Sequence, residues 1–155
     1  MHPKKLASHI FGGAGIKFNS KVYTTTKQWR NSANNIIPAF DDYTGVSNTE
    51  GIIEGCDDSV AAICKQVIFA NGQSGYMPAQ AEMRVFCKYF SRVDELLGII
   101  GGDKLKIQHG AQLLWSSTCA DAKYAWCVRY MTDGDAQPMK KLKSEKAPCR
   151  VYMKI

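Results

Sequence analysis

The spacing of apolar residues along this chain changes period twice, and each change marks a different kind of element. Near the N-terminus, "KVYTTTKQWR" from Lys21 to Arg30 is rich in Val, Tyr and Thr, which suit a pleated surface, and "FGGAGIKF" before it gives glycines followed by a short alternating run. Two early strands are expected there. "NSANNIIPAFDDYTG" then carries the Asn, Pro, Asp and Gly of a loop. At Ser47 the period becomes helical: Ser47 stands three residues before Glu50 as a capping box, and Ile52, Ile53, Cys56, Val60, Ile63, Cys64 and Val67 recur on one face. The pattern predicts a single helix to about Ala70, stopped by Asn71 and Gly72.

A second helix is expected from "MPAQAEM", with Pro78 in the first turn and Met83, Phe86, Cys87 and Phe90 on one face. It continues through "SRVDELLGII", where Ser91 precedes Asp94 by three, Leu96, Leu97 and Ile100 follow, and "GGD" closes it. From Leu113 the period falls to two. "LLWSS", "AWCVRYM" and "CRVYMKI" read as strands, the second ending at the turn "TDGD". Strands on either side of a helical middle argue for an α+β domain rather than an alternating one.

With 155 residues, the chain fits one domain, and such a domain buries roughly 68–70% of its unfolded surface. Residues 1–10 read as an N-terminal arm and residues 11–155 as that domain. Hydrophobic residues are 45% and charged residues 22%, which excludes a long disordered region. No window reaches the roughly 18 uninterrupted apolar residues of a membrane span, so no membrane insertion is expected. "MHPKKLASHIFGGAGIKF" has no apolar run of the kind a Sec signal needs.

Charge changes the picture more. The net charge is +6, and Lys140, Lys141, Lys143, Lys146, Arg150 and Lys154 crowd the C-terminal end. That excess suits an anionic partner: an acidic polysaccharide, a nucleic acid or an acidic neighbour in an assembly. A solvated basic loop accounts for it equally well.

Six cysteines, Cys56, Cys64, Cys87, Cys119, Cys127 and Cys149, contain no C-x-x-C pair, so zinc-site spacing is absent. They read as reduced, buried small hydrophobes, with a disulfide such as Cys119 to Cys149 as the alternative. Nucleophilic chemistry lacks partners, since a serine needs a histidine and an orienting acid, and of His2, His9 and His109 two lie in the arm. Ser116, Ser117 and Thr118 are expected instead to crosslink or cap the sheet. "GGAG" lacks the lysine of a P-loop and the third glycine of a dinucleotide fingerprint, and "DDYTG" and "TDGD" read as turns. No cofactor and no metal are expected. Trp115 and Trp126, in adjacent strands, are expected to point into the core together.

Taken in order, "GVSNTEGI", "SGYMPAQAEM", "GG", "LLWSST", "YAWCVRYMTDG" and "CRVYMKI" resemble the bacterial domain family at the C-terminal end of collagen-like surface adhesins. The likeness covers Ser47 to Ile155. It departs in "CRVYMKI", where that family ends in R-V-R, and at Cys119, where it commonly has glutamate. The resemblance implies a C-type lectin-like fold: two main helices on a twisted antiparallel sheet, with N- and C-terminal strands paired. The receptor-binding tips of some phage fibres and retroelement-diversified proteins share that fold, and so do enzymes that oxidise cysteine in sulfatases. Those enzymes use a close cysteine pair with metal, and no such pair stands out here. The calcium-binding motifs of classical lectins are also missing.

The resemblance therefore implies a non-enzymatic adhesin or receptor-recognition domain at a cell surface or outside the cell. Its partner would be an anionic glycan or a surface receptor, with homo-oligomerisation raising weak per-site affinity. The alternative is a decoration or fibre protein of a phage virion, docked on a neighbour by the basic N-terminal arm. In this fold ligands meet the connecting segments at one end of the sheet: "GGDKLKIQHGAQ", the turn from Asp121 to Tyr124, and Thr132 to Pro148. Asp121, Lys123, Tyr124, Asp133, Asp135, Lys140, Lys141 and Lys143 are the exposed-looking candidates there, and ordinary loop polarity explains each of them as well.

Overall fold

A computed structural model describes residues 1–16, 42–85, 89–105, 113–130 and 136–155. Among these, the chain is mixed α and β, with four helices and two antiparallel sheets. Strand β1 (His9–Ile10) is followed by helices α1 (Gly45–Gly55), α2 (Val60–Gln66), α3 (Gln80–Val85) and α4 (Phe90–Ile99). Strands β2 (Leu114–Cys119), β3 (Tyr124–Tyr130), β4 (Ala136–Leu142) and β5 (Lys146–Ala147) complete the order. The segregated α+β arrangement agrees with the sequence; the strand expected at Lys21–Arg30 lies outside the described residues. Phe11 to Ile16, expected to begin a strand, form an irregular turn after β1.

The single helix expected from Ser47 to Ala70 is two. Gly55, Asp57, Asp58 and Ser59 interrupt it, because glycine weakens a helix interior while Asp and Ser satisfy backbone groups better at its ends. Ser59 is the N-cap of α2, its hydroxyl accepting the Ala62 N–H at 3.3 Å. The Ser47–Glu50 capping box does not form, since the helix starts earlier, at Gly45 after an N-cap at Thr44. Ser47 instead donates to the Thr44 carbonyl at 3.2 Å. Likewise α4 begins at Phe90, so Ser91 does not cap it, and the Asp94 carboxylate accepts the Leu105 N–H at 2.6 Å beyond the helix end. Gly101, in the left-handed region at φ 66°, ends the helix as "GGD" predicted. Pro78 stands two residues ahead of α3 rather than inside its first turn.

Strands β2, β3 and β4 form a meander with β3 in the centre. Trp115 opposes Cys127 and Cys119 opposes Ala125, an offset that inserts a bulge into β2. Both faces of β2 are buried, and its far edge is closed by backbone bonds from Trp115 N to Pro148 O at 2.9 Å and from Ser117 N to Pro78 O at 2.8 Å. An edge so covered offers no template for another strand. The segment Thr132 to Pro148, expected as connecting loop, contains strand β4. Pro138 is tolerated because β4 is an edge strand, where a missing N–H breaks no interior ladder.

The C-terminal run departs from expectation in the opposite sense. "CRVYMKI" is no continuous strand: Arg150 bridges to Lys5 and Tyr152 to Tyr76, as isolated contacts. Around them a seam forms. β1 pairs antiparallel with β5, and His2 N–H and Leu6 N–H donate to the Val151 and Cys149 carbonyls at 2.6 and 2.8 Å. Residues 1–10 thus lie along the C-terminal run.

The main core gathers Phe11, Ile52, Val60, Cys64, Met77, Trp115, Cys127, Cys149 and Val151. Phe11 meets Trp115 edge to face at 5.4 Å, a geometry worth about 0.5–1.5 kcal/mol beyond simple burial. A second core, with Met83, Leu97, Leu114, Val128 and Tyr130, covers the other face of the sheet.

Candidate ligand-binding surface

The two tryptophans are both buried, but on opposite faces. Cys127 lies across from Trp115, so Trp126, one residue earlier on β3, points the other way. Trp115 donates its indole N–H to the His9 carbonyl at 2.9 Å, while Trp126 Nε1 meets no acceptor among the described residues. Neither opens into a cleft.

The serine and threonine run of β2 behaves as crosslinking. Ser116 donates across the sheet to the Trp126 carbonyl at 2.8 Å. Thr118 accepts the Gln80 N–H at 2.9 Å and donates to the Asp42 carboxylate at 2.7 Å. Sequence reading passed over Asp42 as part of a turn. It is buried, and its carboxylate also accepts from the Thr44 N–H, the Thr44 hydroxyl and the Asn48 amide at 2.9, 2.6 and 2.8 Å. Four donors saturate it, which ties α1 to β2. Beside it Glu82 accepts the Ala79 N–H at 2.7 Å; burial pushes its carboxyl above the usual range, with the Asp42 charge adding to that. Tyr76 faces Glu82, and burial followed by that negative charge lifts its hydroxyl to about 12. Nothing in the spacing of Asp42 and Thr118 announces their meeting, since 76 residues separate them.

At the end of the sheet the eight candidates divide. Asp133 and Asp135 lie outside the described residues. Asp121 builds the β2–β3 turn, accepting the Lys123 and Tyr124 N–H groups at 2.8 Å each. Tyr124 is half-buried against Ala120 and Trp126. Lys141 pairs with Glu145 at 2.8 Å, four residues on. Lys143, expected in an exposed loop, is 0% exposed. It donates to the Ile16 carbonyl at 2.7 Å and lies over the Phe11 ring at 5.6 Å. It turns inward because its backbone is already committed, bonding Lys123 O through its N–H and Phe11 N through its carbonyl.

Lys123 and Lys140 remain open. Lys140 stands over the Trp126 ring at 5.4 Å, and no carboxylate pairs with either lysine among the described residues. Lys140 opposes Trp126, and Lys123 precedes Trp126 by three residues, roughly 10 Å along the strand direction and, by alternation, toward the other face. Exposed cations toward this end of the sheet attract a polyanion, each contact being weak and sensitive to salt.

Two of the thiols, Cys119 and Cys127, are held in the protonated form. Burial holds Cys119 at about 11 and Cys127 well above the ordinary thiol range, so neither forms thiolate near neutrality. The five described cysteines are free and all but Cys56 are buried, as expected; the alternative Cys119–Cys149 bridge is absent, and a close pair not expected from the sequence is formed by Cys64 and Cys149, whose sulfurs lie 3.6 Å apart. No family model, curated protein or solved structure matches the chain.

Proposed function

We propose that this chain is a non-enzymatic ligand-binding domain of C-type lectin-like architecture that takes an anionic glycan at the end of its three-stranded sheet. The observation that carries the reading is that Lys123 and Lys140 are each exposed toward this end of the sheet without a carboxylate partner among the described residues. The motif order from "GVSNTEGI" to "CRVYMKI", which resembles adhesin-tip domains, supplies the architecture. Against an enzyme weigh the elevated thiols and the local engagement of His2 and His9 with the Lys4 and Ile10 carbonyls at 2.9 and 2.8 Å. A virion role anchored by the first ten residues would draw on a segment bonded along the C-terminal run, with Lys4 facing Asp103 at 3.7 Å, so we take it no further.

Titration with a sulfated polysaccharide across a series of salt concentrations tests the proposal. Lys123→Gln with Lys140→Gln weakens binding roughly tenfold at low salt, two exposed charge contacts contributing about 0.5–1 kcal/mol each, and flattens the salt dependence. Lys141→Gln, already neutralised by Glu145, changes affinity little. Binding indifferent to both the lysine pair and the salt would discard this surface, and no binding to any polyanion would discard the class of ligand. Homo-oligomers bearing several such sites would gain avidity on a repeating polymer.

A further inference from the structure

We infer that Cys64 and Cys149 form a disulfide-competent pair, a covalent modification site sealed inside the core. Cys64 lies in the last turn of α2 and Cys149 in the extended run just after β5. Both are 0% exposed, and their sulfurs are 3.6 Å apart. A disulfide bond is about 2.05 Å long, so closing it requires a movement of about 1.5 Å, within reach of side-chain rotation in two residues already facing one another. Cys119 and Cys127 share the same core without a sulfur neighbour of this kind among the described residues. The geometry therefore selects Cys64 as the partner of Cys149, not Cys119.

The oxidant is a low-molecular-weight disulfide. One protein thiolate attacks a sulfur of the oxidant, releasing one small thiol and leaving a mixed disulfide. The second protein thiolate then attacks the protein sulfur of that adduct, forming the Cys64–Cys149 bond and expelling the second small thiol. Two electrons and the two protons of the protein thiols end on the two small thiols. Because exchange needs an accessible thiolate, and both sulfurs are enclosed, it proceeds while the chain is unfolded or opening and stalls once the core has closed. Burial works in both directions, so a bond formed on folding is shielded from reductant. It would fasten α2 to the C-terminal run across 85 residues of sequence, a loop long enough for a large effect on the unfolded chain.

The full-length chain, denatured and reduced, is refolded with and without a reduced and oxidised glutathione mixture. It is then unfolded and alkylated with N-ethylmaleimide, and the products are analysed by intact mass and non-reducing peptide mapping. The expected product with glutathione carries two fewer N-ethylmaleimide groups than the alkylated dithiol and is a further two hydrogens lighter, yields a linked peptide pair containing Cys64 and Cys149, and has, before alkylation, a Tm raised by roughly 10 °C over the dithiol. Native, fully folded dithiol protein exposed to the same mixture oxidises far more slowly. In Cys64→Ala and Cys149→Ala the Tm difference between oxidised and reduced preparations disappears. Alkylation of both residues after oxidative refolding, a bond between other cysteines, or an oxidised form no more stable than the dithiol would overturn the assignment. The wild-type arms need no variant to fold.

Discussion

Two regions of this molecule reverse the usual placement of polarity. At the seam between residues 2–11 and 143–152, a guanidinium and an ammonium lie inside: Arg150 is 2% exposed and Lys143 0%. On α4, Leu96, Ile99 and Ile100 face outward, Ile99 at 71% exposure. The difference is one of partners. Arg150 reaches three part-buried backbone carbonyls, Pro3 and Asp103 at 2.7 and 2.6 Å and His2 at 3.2 Å, of which Pro3 also accepts the Asp103 N–H at 2.9 Å. The outward face of α4 has no backbone need to meet; its inward face is filled by Phe90, Asp94 and Leu97. A charge goes inside where backbone carbonyls accept its donors, and an apolar side chain stays outside where the inward face is already filled.

The most damaging way to break this comparison is to remove the guanidinium while leaving the carbonyls. Arg150→Met keeps the stem's packing but leaves the part-buried His2 and Asp103 carbonyls without this donor, while Pro3 keeps the Asp103 N–H, and each buried acceptor left unmade costs about 1–3 kcal/mol. Water reaching them limits the total, so we expect a loss of about 2–3 kcal/mol, read as a lower urea midpoint with little change in slope. Arg150→Lys should recover only part of it, because an ammonium cannot span the fork. A loss below about 1 kcal/mol would mean that Arg150 is packing and not a clasp.

The seam also shows what the chain's pattern made legible and what it hid. Strands β2 and β3 were readable because alternation and the aromatic, β-branched content of "LLWSST" and "YAWCVRY" agree locally. Strand β4 was hidden by Pro138 and two lysines, which read as loop; its edge position makes both tolerable. The break between α1 and α2 was visible in "GCDDS", but the apolar period on either side outweighed it. Lys143 looked like a surface residue, because its burial depends on Ile16 and Phe11, more than 120 positions away. Of the candidate surface, Lys123 and Lys140 were identifiable from sequence; which neighbouring lysines are neutralised or buried was not, since pairing is a fact of three dimensions.

Lys143 sharpens the comparison with a smaller effect. Burial lowers its ammonium below the ordinary 10.5, while the nearby Cys119 thiol partly offsets that. A lysine depressed in the folded state carries its cost at neutral pH and sheds it as pH rises through the folded value toward 10.5, so it contributes stability that increases with pH there. Cys119 runs the other way: held at about 11 against an unfolded 9.0, it removes stability as pH rises from 9. In the wild type the two slopes oppose. Lys143→Met should change stability at pH 7 by no more than about 1 kcal/mol, since it exchanges one carbonyl bond for relief of desolvation. Above pH 9 the variant should lose Tm more steeply than the wild type, and equal slopes would place the ammonium in water.

The smallest effect belongs to the outer face of α4. Ile99→Ser changes an exposed side chain on a helix where serine and isoleucine have similar propensity, so stability should move by no more than about 0.5 kcal/mol. Leu97→Ala, two residues earlier on the same helix but 4% exposed, should lose about 2–4 kcal/mol. Two residues within one turn of the same helix then report a several-fold difference that sequence hydrophobicity does not contain, both being large aliphatics. A loss at Ile99 comparable to that at Leu97, measured by chemical denaturation at several protein concentrations, would mean that the face is covered in solution. Its dependence on concentration would then distinguish cover by a second copy from cover within one chain, and the outward apolar side of α4 would have to be counted as core.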